Sequence, residues 1–366
     1  MPGRENPQVE RIAVAAYRIP TDSKESDGTL VWDSTTVVLA QAYAAGAVGL
    51  GYSYTHHAAA VLIRDLLSGV VEGHGSLDVP GAWQRMIHSV RNLGGPGIAA
   101  SAIAAVDTAL WDLKARILGL PLVRLLGAVR ESVPIYGSGG FTSYPDEALR
   151  EQLGGWVEEG IPRVKMKVGR NPERDLHRVK VAREAIGADA ELYVDANGAY
   201  DRKQALYFAE AFADQGVVWF EEPVSSDDLE GLRLLRDRAP AGMEITAGEY
   251  GYDSHYFRRM LDAGAVDVLQ ADITRCRGLS GLLEAGALCA ARSLPLSAHA
   301  APWLHTHPMC AIPSARHVEY FHDHTRIGRL IFDGLPEVVD GSLRPDLARA
   351  GHGIVLREAD AQKFAL

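Results

Sequence analysis

Two lysines one residue apart, Lys165 and Lys167, begin a series of residues that can do chemistry, continued by Asp195, Glu221, Glu249, Asp272, His299 and Glu319. The lysines lie in Arg163-Val-Lys-Met-Lys-Val, where strand alternation puts both on one face and Val164, Met166 and Val168 on the other. If the apolar face packs against helices, two ammonium groups about 7 Å apart along the backbone point inward and require partners. Three carboxylates offer themselves: Asp195 in Tyr193-Val-Asp-Ala-Asn-Gly, Glu221 in Trp219-Phe-Glu-Glu-Pro, and Glu249 in Thr246-Ala-Gly-Glu. Any one alone reads equally well as a helix N-cap. Three in succession, each just past a short apolar run, read better as oxygen ligands for a hard divalent cation, Mg²⁺ or, as a second choice, Mn²⁺. Glu222 alternates to the opposite face from Glu221 and reads as structural or as a support to the neighbouring ligands.

Further along, Gln270-Ala-Asp272 and Ser297-Ala-His299 supply an acid and an imidazole that together make an orientable general base. Alone, His299 would more often be a core histidine; its position opposite Lys167, with the acidic cluster between them, gives it weight. Glu319 in His317-Val-Glu-Tyr-Phe is a candidate hydrogen-bond donor to a developing oxyanion if held protonated. Trp303, four residues past His299, is a candidate substrate contact, with a core role as the plainer reading. His317, His322 and His324 lack a compact ligand motif and read as surface or subunit-interface groups.

These residues must be positioned by something, and from about residue 133 the chain repeats a β-branched run, a polar turn and an amphipathic stretch. Strands are expected at 133–136, 163–168, 191–194, 217–220, 244–247, 266–270, 294–297 and 318–321, with helices at 146–159, 175–186, 201–213 and 279–291. Eight strands alternating with helices predict a parallel α/β barrel, whose chemistry gathers at the C-terminal strand ends. Before residue 130 the pattern changes to strand-like 11–18, a polar loop 22–28, a second apolar run 35–40 and then mostly helical sequence, including an Ala- and Gly-rich buried helix within 94–110. The expected division is an α+β domain over 1–130, the barrel over 131–335, and a turn-rich segment 336–366 packing back on the first domain.

A chain of 366 residues with 47% hydrophobic and 23% charged residues has the composition of a folded globular protein. Its net charge of -10 comes without a basic run, which argues against a nucleic-acid partner. Three widely spaced cysteines, Cys276, Cys289 and Cys310, suggest neither a disulfide framework nor a zinc site, and a reducing cytoplasm is expected. The polar segment 1–10 has no signal-peptide core, and no stretch is apolar enough to predict a membrane helix.

Taken together, Lys165-Met-Lys167, the carboxylates Asp195, Glu221 and Glu249, the pair Asp272 and His299, and Glu319 resemble the mandelate racemase subgroup of the enolase superfamily. Ser101-Ala-Ile-Ala-Ala-Val-Asp-Thr-Ala-Leu-Trp-Asp-Leu-Lys, then Gly119-Leu-Pro and Leu126-Gly, resembles the helix by which that family joins its capping domain to the barrel. The resemblance implies a modified (β/α)₇β TIM barrel with an N-terminal α+β capping domain. It also implies Mg²⁺ at the three carboxylates, catalytic roles for Lys165, Lys167, Asp272, His299 and Glu319, and a homo-oligomer, from dimer to octamer. The superfamily is known for a Lys or His base acting beside magnesium that holds an enediolate. Lys167, depressed by its like-charged neighbours, and His299 would then act on opposite faces of a carbon next to a carboxylate. The favoured outcome is dehydration of a sugar acid, aldonate or aldarate, to a 2-keto-3-deoxy acid. Racemisation, epimerisation and lactone cycloisomerisation on the same site are the alternatives, and a catalytically silent binding subunit is the alternative of another class. In the family two capping loops choose the small-molecule carboxylic acid; here they read Thr21-Asp-Ser-Lys-Glu-Ser-Asp-Gly and Gly51-Tyr-Ser-Tyr-Thr-His-His. Lys24, Tyr54, His56 and Asn197 are the candidate substrate contacts, along with Trp303. After Asp272 the chain runs Ile-Thr-Arg275-Cys276-Arg277-Gly, where many relatives carry a Lys or small polar residue and two glycines, which leaves the role of Arg275 and Arg277 open.

Overall fold

The computed structural model describes residues 6–366; residues 1–5, half of the polar segment noted above, lie outside the described residues. Three antiparallel strands open the chain: β1 (Arg11–Ser26), β2 (Val31–Ala44) and β3 (Ala47–Tyr54). Ala45 and Gly46, both at positive φ (51° and 72°), make the two-residue turn that matches strand twist between β2 and β3. The expected loop 22–28 is a correction, because β1 continues through Ser26 across an irregularity between Pro20 and Glu25. The second expected loop also begins as strand, since Gly51 to Tyr54 belong to β3. Gly51 is there for closeness, because a Cβ on it would lie 2.3 Å from the Ala105 carbonyl oxygen of the helix Ile98–Leu118.

That helix is buried along most of its length, as its alanine-rich sequence requires, and its two buried carboxylates tie three parts of the molecule together. Asp107 accepts from the Ser280 amide (2.9 Å) and hydroxyl (2.7 Å) at the start of the barrel helix Leu279–Ala291. Asp112 accepts from the Leu50 amide of β3 (2.9 Å), the His352 amide near the C-terminus (2.8 Å) and the Arg116 guanidinium (2.6 Å).

Eight strands follow, β4 (Val133–Gly139), β5 (Arg163–Lys167), β6 (Glu191–Asp195), β7 (Val217–Glu221), β8 (Glu244–Ala247), β9 (Val268–Ala271), β10 (Leu296–Ala298) and β11 (Ala315–Phe321). They pair in parallel in chain order, and β11 returns to pair with β4, Val318 opposite Ile135, which closes the barrel. Each is followed by a helix; the last, His322–Ile331, leads into the C-terminal segment. All eight strands fall at or within a few residues of their expected positions, because in each the run of apolar side chains coincides with a fully buried strand. Inside, Tyr136, Tyr193, Trp219 and Val268 form a plug below the mouth. His317 joins it, with ring centroids 4.8 Å from Tyr136 and 5.2 Å from Trp219, and with Nδ1 2.9 Å from the Ser297 hydroxyl. This corrects the expected surface placement: one extra residue in β11 between the partners of Leu296 and Ala298 turns both Arg316 and His317 toward Trp219.

The last residues return to the first sheet. Phe332–Asp333 pairs with Val355–Leu356, Ala365 bridges Tyr17, and the Leu366 amide donates to the Ala16 carbonyl (3.0 Å). Among the described residues no helix is long and apolar enough to cross a membrane. Asp112→Ala is expected to cost about 3 kcal/mol, because it orphans two buried amides and the Arg116 charge together. Urea unfolding checks the magnitude, and faster amide exchange at Leu50 and His352 checks the mechanism.

Candidate active site

The chemistry-bearing residues converge at one end of the barrel because each stands at or just beyond the C-terminal end of its strand. Lys167, Asp195 and Glu221 are the last residues of β5, β6 and β7; Asp272 and His299 directly follow β9 and β10; Glu319 lies in β11. Glu249 is two residues past β8, beyond Gly248, whose φ of 136° and missing Cβ let the chain pass the Gln270 carbonyl. Without that glycine the carboxylate could not turn back over the mouth.

Three carboxylate oxygens, one each from Asp195, Glu221 and Glu249, lie within 4.8 Å of one another, and all three residues are buried. Lys165, with no exposed surface, donates to Glu221 (2.6 Å), lies 2.8 Å from Glu319 and 3.6 Å from Asp195. Lys167 pairs with Asp195. On the other side His299 places Nδ1 2.9 Å from Asp272 and Nε2 3.2 Å from Glu249. The acidic cluster therefore stands between Lys167 and His299, as the order of strands required. Asp272 is itself fixed by the amide and hydroxyl of Thr274, both at 2.7 Å, so its other oxygen holds the imidazole at Nδ1 and leaves Nε2 facing the cluster.

Two electrostatic expectations, made for a site that holds a cation, can be set beside what the side chains alone impose. Burial and Lys165 press the Lys167 ammonium toward neutrality, but the adjoining Asp195 carboxylate outweighs them and holds its pKa above the usual lysine value. Burial would raise Glu319, yet Lys165 and His299 hold it well below the usual carboxylate range, so it is an ionised partner of Lys165. It accepts from the Ser138 hydroxyl (2.6 Å) and the Ala300 amide (2.7 Å). Burial would likewise raise Asp272, but His299 and then Arg275 hold it low. The His299 imidazole is lowered by burial and raised more by Glu249, Glu319 and Asp272, with a net upward shift.

Above the cluster a cleft of about 410 Å³ opens between the barrel mouth and the first sheet. Tyr54, His56 and Asn197 line it, with Lys167, Glu249 and His299 at its floor. Lys24 does not; it lines a separate groove with Tyr144, Gln152 and His322, because the irregular stretch of β1 turns it away. Trp303 does not either; it is buried against Tyr320, ring centroids 5.6 Å apart, and Tyr320 alternates to the outer face from Glu319. His324, expected at the surface, is buried in the cleft wall, stacked on Tyr54 with its Nδ1 accepting from the Ala301 amide (3.2 Å). Glu222 is a further correction: β7 stops at Glu221 and Glu222 adopts φ 37°, so alternation does not apply. Burial, then the charges of Glu249 and Asp195, raise its pKa well above the usual value. Ser138, Thr274 and Tyr250 were not anticipated. A seven-residue β4 would have shown Ser138 opposite Lys165, whereas the other two lie in turns that carry no period.

Whether these residues fit a divalent cation can be judged from their own charges. Burial and the neighbouring Asp195 push Glu221 up to about 8, so the site holds more carboxylate than its lysines balance. Asn197 Oδ1 is buried without a hydrogen-bond partner, and the buried Glu249 Oε2 has His299 Nε2 at 3.2 Å but outside hydrogen-bond geometry. An all-oxygen set with a charge surplus and unused acceptors suits Mg²⁺ or Mn²⁺. Asp195, Glu221 and Glu249 would hold the ion.

The comparisons with known proteins agree with this geometry. Residues 148–360 match the family model described as enolase C-terminal domain-like, and residues 20–127 match the mandelate racemase / muconate lactonizing enzyme N-terminal domain. The 3,6-anhydro-alpha-L-galactonate cycloisomerase of Streptomyces coelicolor is 33% identical over 358 residues, 95% of this chain and 97% of that protein. The L-talarate/galactarate dehydratase of Salmonella typhimurium is 32% identical over 75% of this chain and 70% of its own. A solved mandelate racemase/muconate lactonizing enzyme-like protein from Rubrobacter xylanophilus superposes with a TM-score of 0.96 at 55% identity, covering 98% of this chain and all of the other. The Salmonella dehydratase with Mg and L-lyxarohydroxamate superposes at 0.90 with 28% identity, covering 99% and 94%. The chain belongs to the mandelate racemase subgroup of the enolase superfamily.

Proposed function

We propose that this protein, loaded with Mg²⁺ at Asp195, Glu221 and Glu249, removes the proton next to the carboxylate of a small sugar acid and eliminates water to give a 2-keto-3-deoxy acid. The observation that carries the reading is the placement of Lys167 and the His299–Asp272 pair on opposite sides of one buried carboxylate cluster. Relatives support it: dehydratases for talarate and galactarate, arabinonate and rhamnonate are each at least 30% identical.

A bound divalent cation would supply Lewis-acid stabilisation of the negative charge that builds on the substrate carboxylate. The residues of the chain do the rest. Lys165, held by Glu221 and Glu319, presents a fixed positive charge to the same oxygens. Glu319 keeps Lys165 in place and is itself fixed by Ser138 and the Ala300 amide, a positioning role in place of the donor role expected of a protonated acid. Lys167 takes or returns the α-proton on one face; with Asp195 engaged as a ligand, less of that carboxylate's charge would fall on Lys167, which would ease the transfer. His299, oriented through Nδ1 by Asp272, uses Nε2 on the other face, where it protonates the departing hydroxyl. Thr274 keeps the Asp272 carboxylate from rotating.

Cycloisomerisation on the same groups is the second reading, favoured by the Streptomyces relative that matches nearly end to end. We further assign the specificity wall to residues 1–130, the chemistry to 131–335 and a clasp on the first sheet to 336–366. A homo-oligomer in a reducing cytoplasm belongs to the same reading, and three free, buried cysteines are in keeping with the latter.

With Mg²⁺ and a library of aldonic and aldaric acids, semicarbazide absorbance is expected to reveal a 2-keto product. Composition conserved with a changed ring or configuration would replace dehydration by cycloisomerisation or epimerisation. Lys167→Ala and His299→Asn are each expected to lower turnover by about a hundred- to ten-thousand-fold. Proton NMR in deuterated water should show α-exchange surviving in only one of the two, the one that keeps the base on the side of the substrate's α-proton. Full turnover in either variant would remove that residue from the mechanism.

A further inference from the structure

The cleft has two unlike ends, and the difference bears on the substrate. At the floor the cationic side chains are concentrated: Lys167, His299 and Arg275. Arg275 is already committed, with Nη1 3.1 Å from Glu249 and Nε 3.6 Å from Asp272, and it stacks over Tyr250 at 5.1 Å. The opposite wall, contributed by β2, the end of β3 and the turns that precede β2 and follow β3, carries the hydroxyls of Ser34, Thr35, Thr36 and Thr55. Among the described residues no lysine or arginine side chain lines that wall, and Lys24, the cation expected there, faces another groove. Its two imidazoles are engaged: His56, at the exposed rim, has its Nδ1 taken by the Ala58 amide (3.2 Å), and His324, buried beside Tyr54, has its Nδ1 taken by the Ala301 amide (3.2 Å).

Behind the hydroxyls lie hydrogen-bond acceptors. Thr35 donates to Asp323, Trp32 donates from Nε1 to Glu25 (2.7 Å), and Asp27 lines the wall itself. Arg326 pairs with Asp323 (2.7 Å), and Arg170 donates to the Asp27 (2.9 Å) and Leu30 (2.7 Å) carbonyls, so both guanidiniums are already engaged behind the wall. A carboxylate delivered to this wall would lose its water and find no free cation to pair with. Sugar hydroxyls find donors and acceptors of their own kind there.

Resting on the reading that the reacting carboxylate lies at the Lys165 and Lys167 end, we propose that the substrate is a monoacid. It carries one carboxylate and an uncharged, hydroxyl-bearing distal end, as in an aldonate or its anhydro form, and aldarates are poor substrates. The rejection of the diacid comes from the wall of Ser34, Thr35, Thr36 and Thr55, which offers a second carboxylate no cation.

The test uses the Mg²⁺-loaded full chain and pairs of six-carbon aldonate and aldarate with the same configuration at every shared carbon, followed by α-deuterium exchange and by product formation. The monoacid of the productive pair is expected to show a kcat/KM higher by about a hundredfold. Ser34→Lys, or Thr55→Lys if the first does not fold, should bring the diacid up relative to the monoacid by about tenfold. A diacid used as well as or better than its partner overturns the inference and leaves the sugar-acid reading standing. A monoacid preference that neither lysine variant moves overturns its assignment to this wall. Absence of exchange with every pair overturns the sugar-acid reading, and the inference with it.

Discussion

The structure turns on a charge imbalance that a barrel mouth cannot hide. Lys165 is completely enclosed, and Lys167 nearly so, and each is paired with carboxylates of the neighbouring strands. Those carboxylates outnumber the two ammonium groups, and Glu221 accordingly holds its proton up to about pH 8, burial being the larger cause and Asp195 the next. In a medium far less polar than water such a surplus is tolerated only if a cation answers it or protons are taken up. The same surplus suits the site to a hard cation, and the groups around it are those that a carbon acid needs beside it. Binding and chemistry here share one electrostatic origin.

The rest of the fold serves to keep that imbalance dry and in register. Below it, the plug of Tyr136, Tyr193 and Trp219 closes the barrel to water. Above it, the first sheet roofs the mouth, and its position is set by the Ile98–Leu118 helix through Asp107 to the barrel and Asp112 to the C-terminal segment. Each of those carboxylates is buried and fully used by donors from another part of the chain, so the roof cannot shift without orphaning them. The roof also presents its hydroxyl wall to the cationic floor across the cleft.

Much of this could be read in the sequence because the governing signals are local. Lys165 and Lys167 share a face as alternation demands, since β5 is regular through Lys167. Asp195, Glu221, Glu249, Asp272 and His299 each close a buried run, and closed barrels put such ends together. What failed did so where the backbone leaves its period or where a long-range neighbour decides. Glu222 has a positive φ, His317 follows an extra residue in β11, and Lys24 sits in the irregular part of β1; none of these shows in the residue types. The Lys167 expectation counted the like charges of Lys165 and a cation; among the side chains alone, the Asp195 carboxylate pressed against it outweighs Lys165. Trp303 could not be placed without knowing which side of the barrel wall it packs on.

The account stands on the carboxylate cage being a cation site, and calorimetric titration of chelator-stripped protein with Mg²⁺ and then Mn²⁺ measures that directly. It predicts saturable binding of one ion per chain, with a rise in melting temperature, and loss of both on Glu249→Gln. Protein that binds no ion stoichiometrically, or binds it equally well after that substitution, would contradict it.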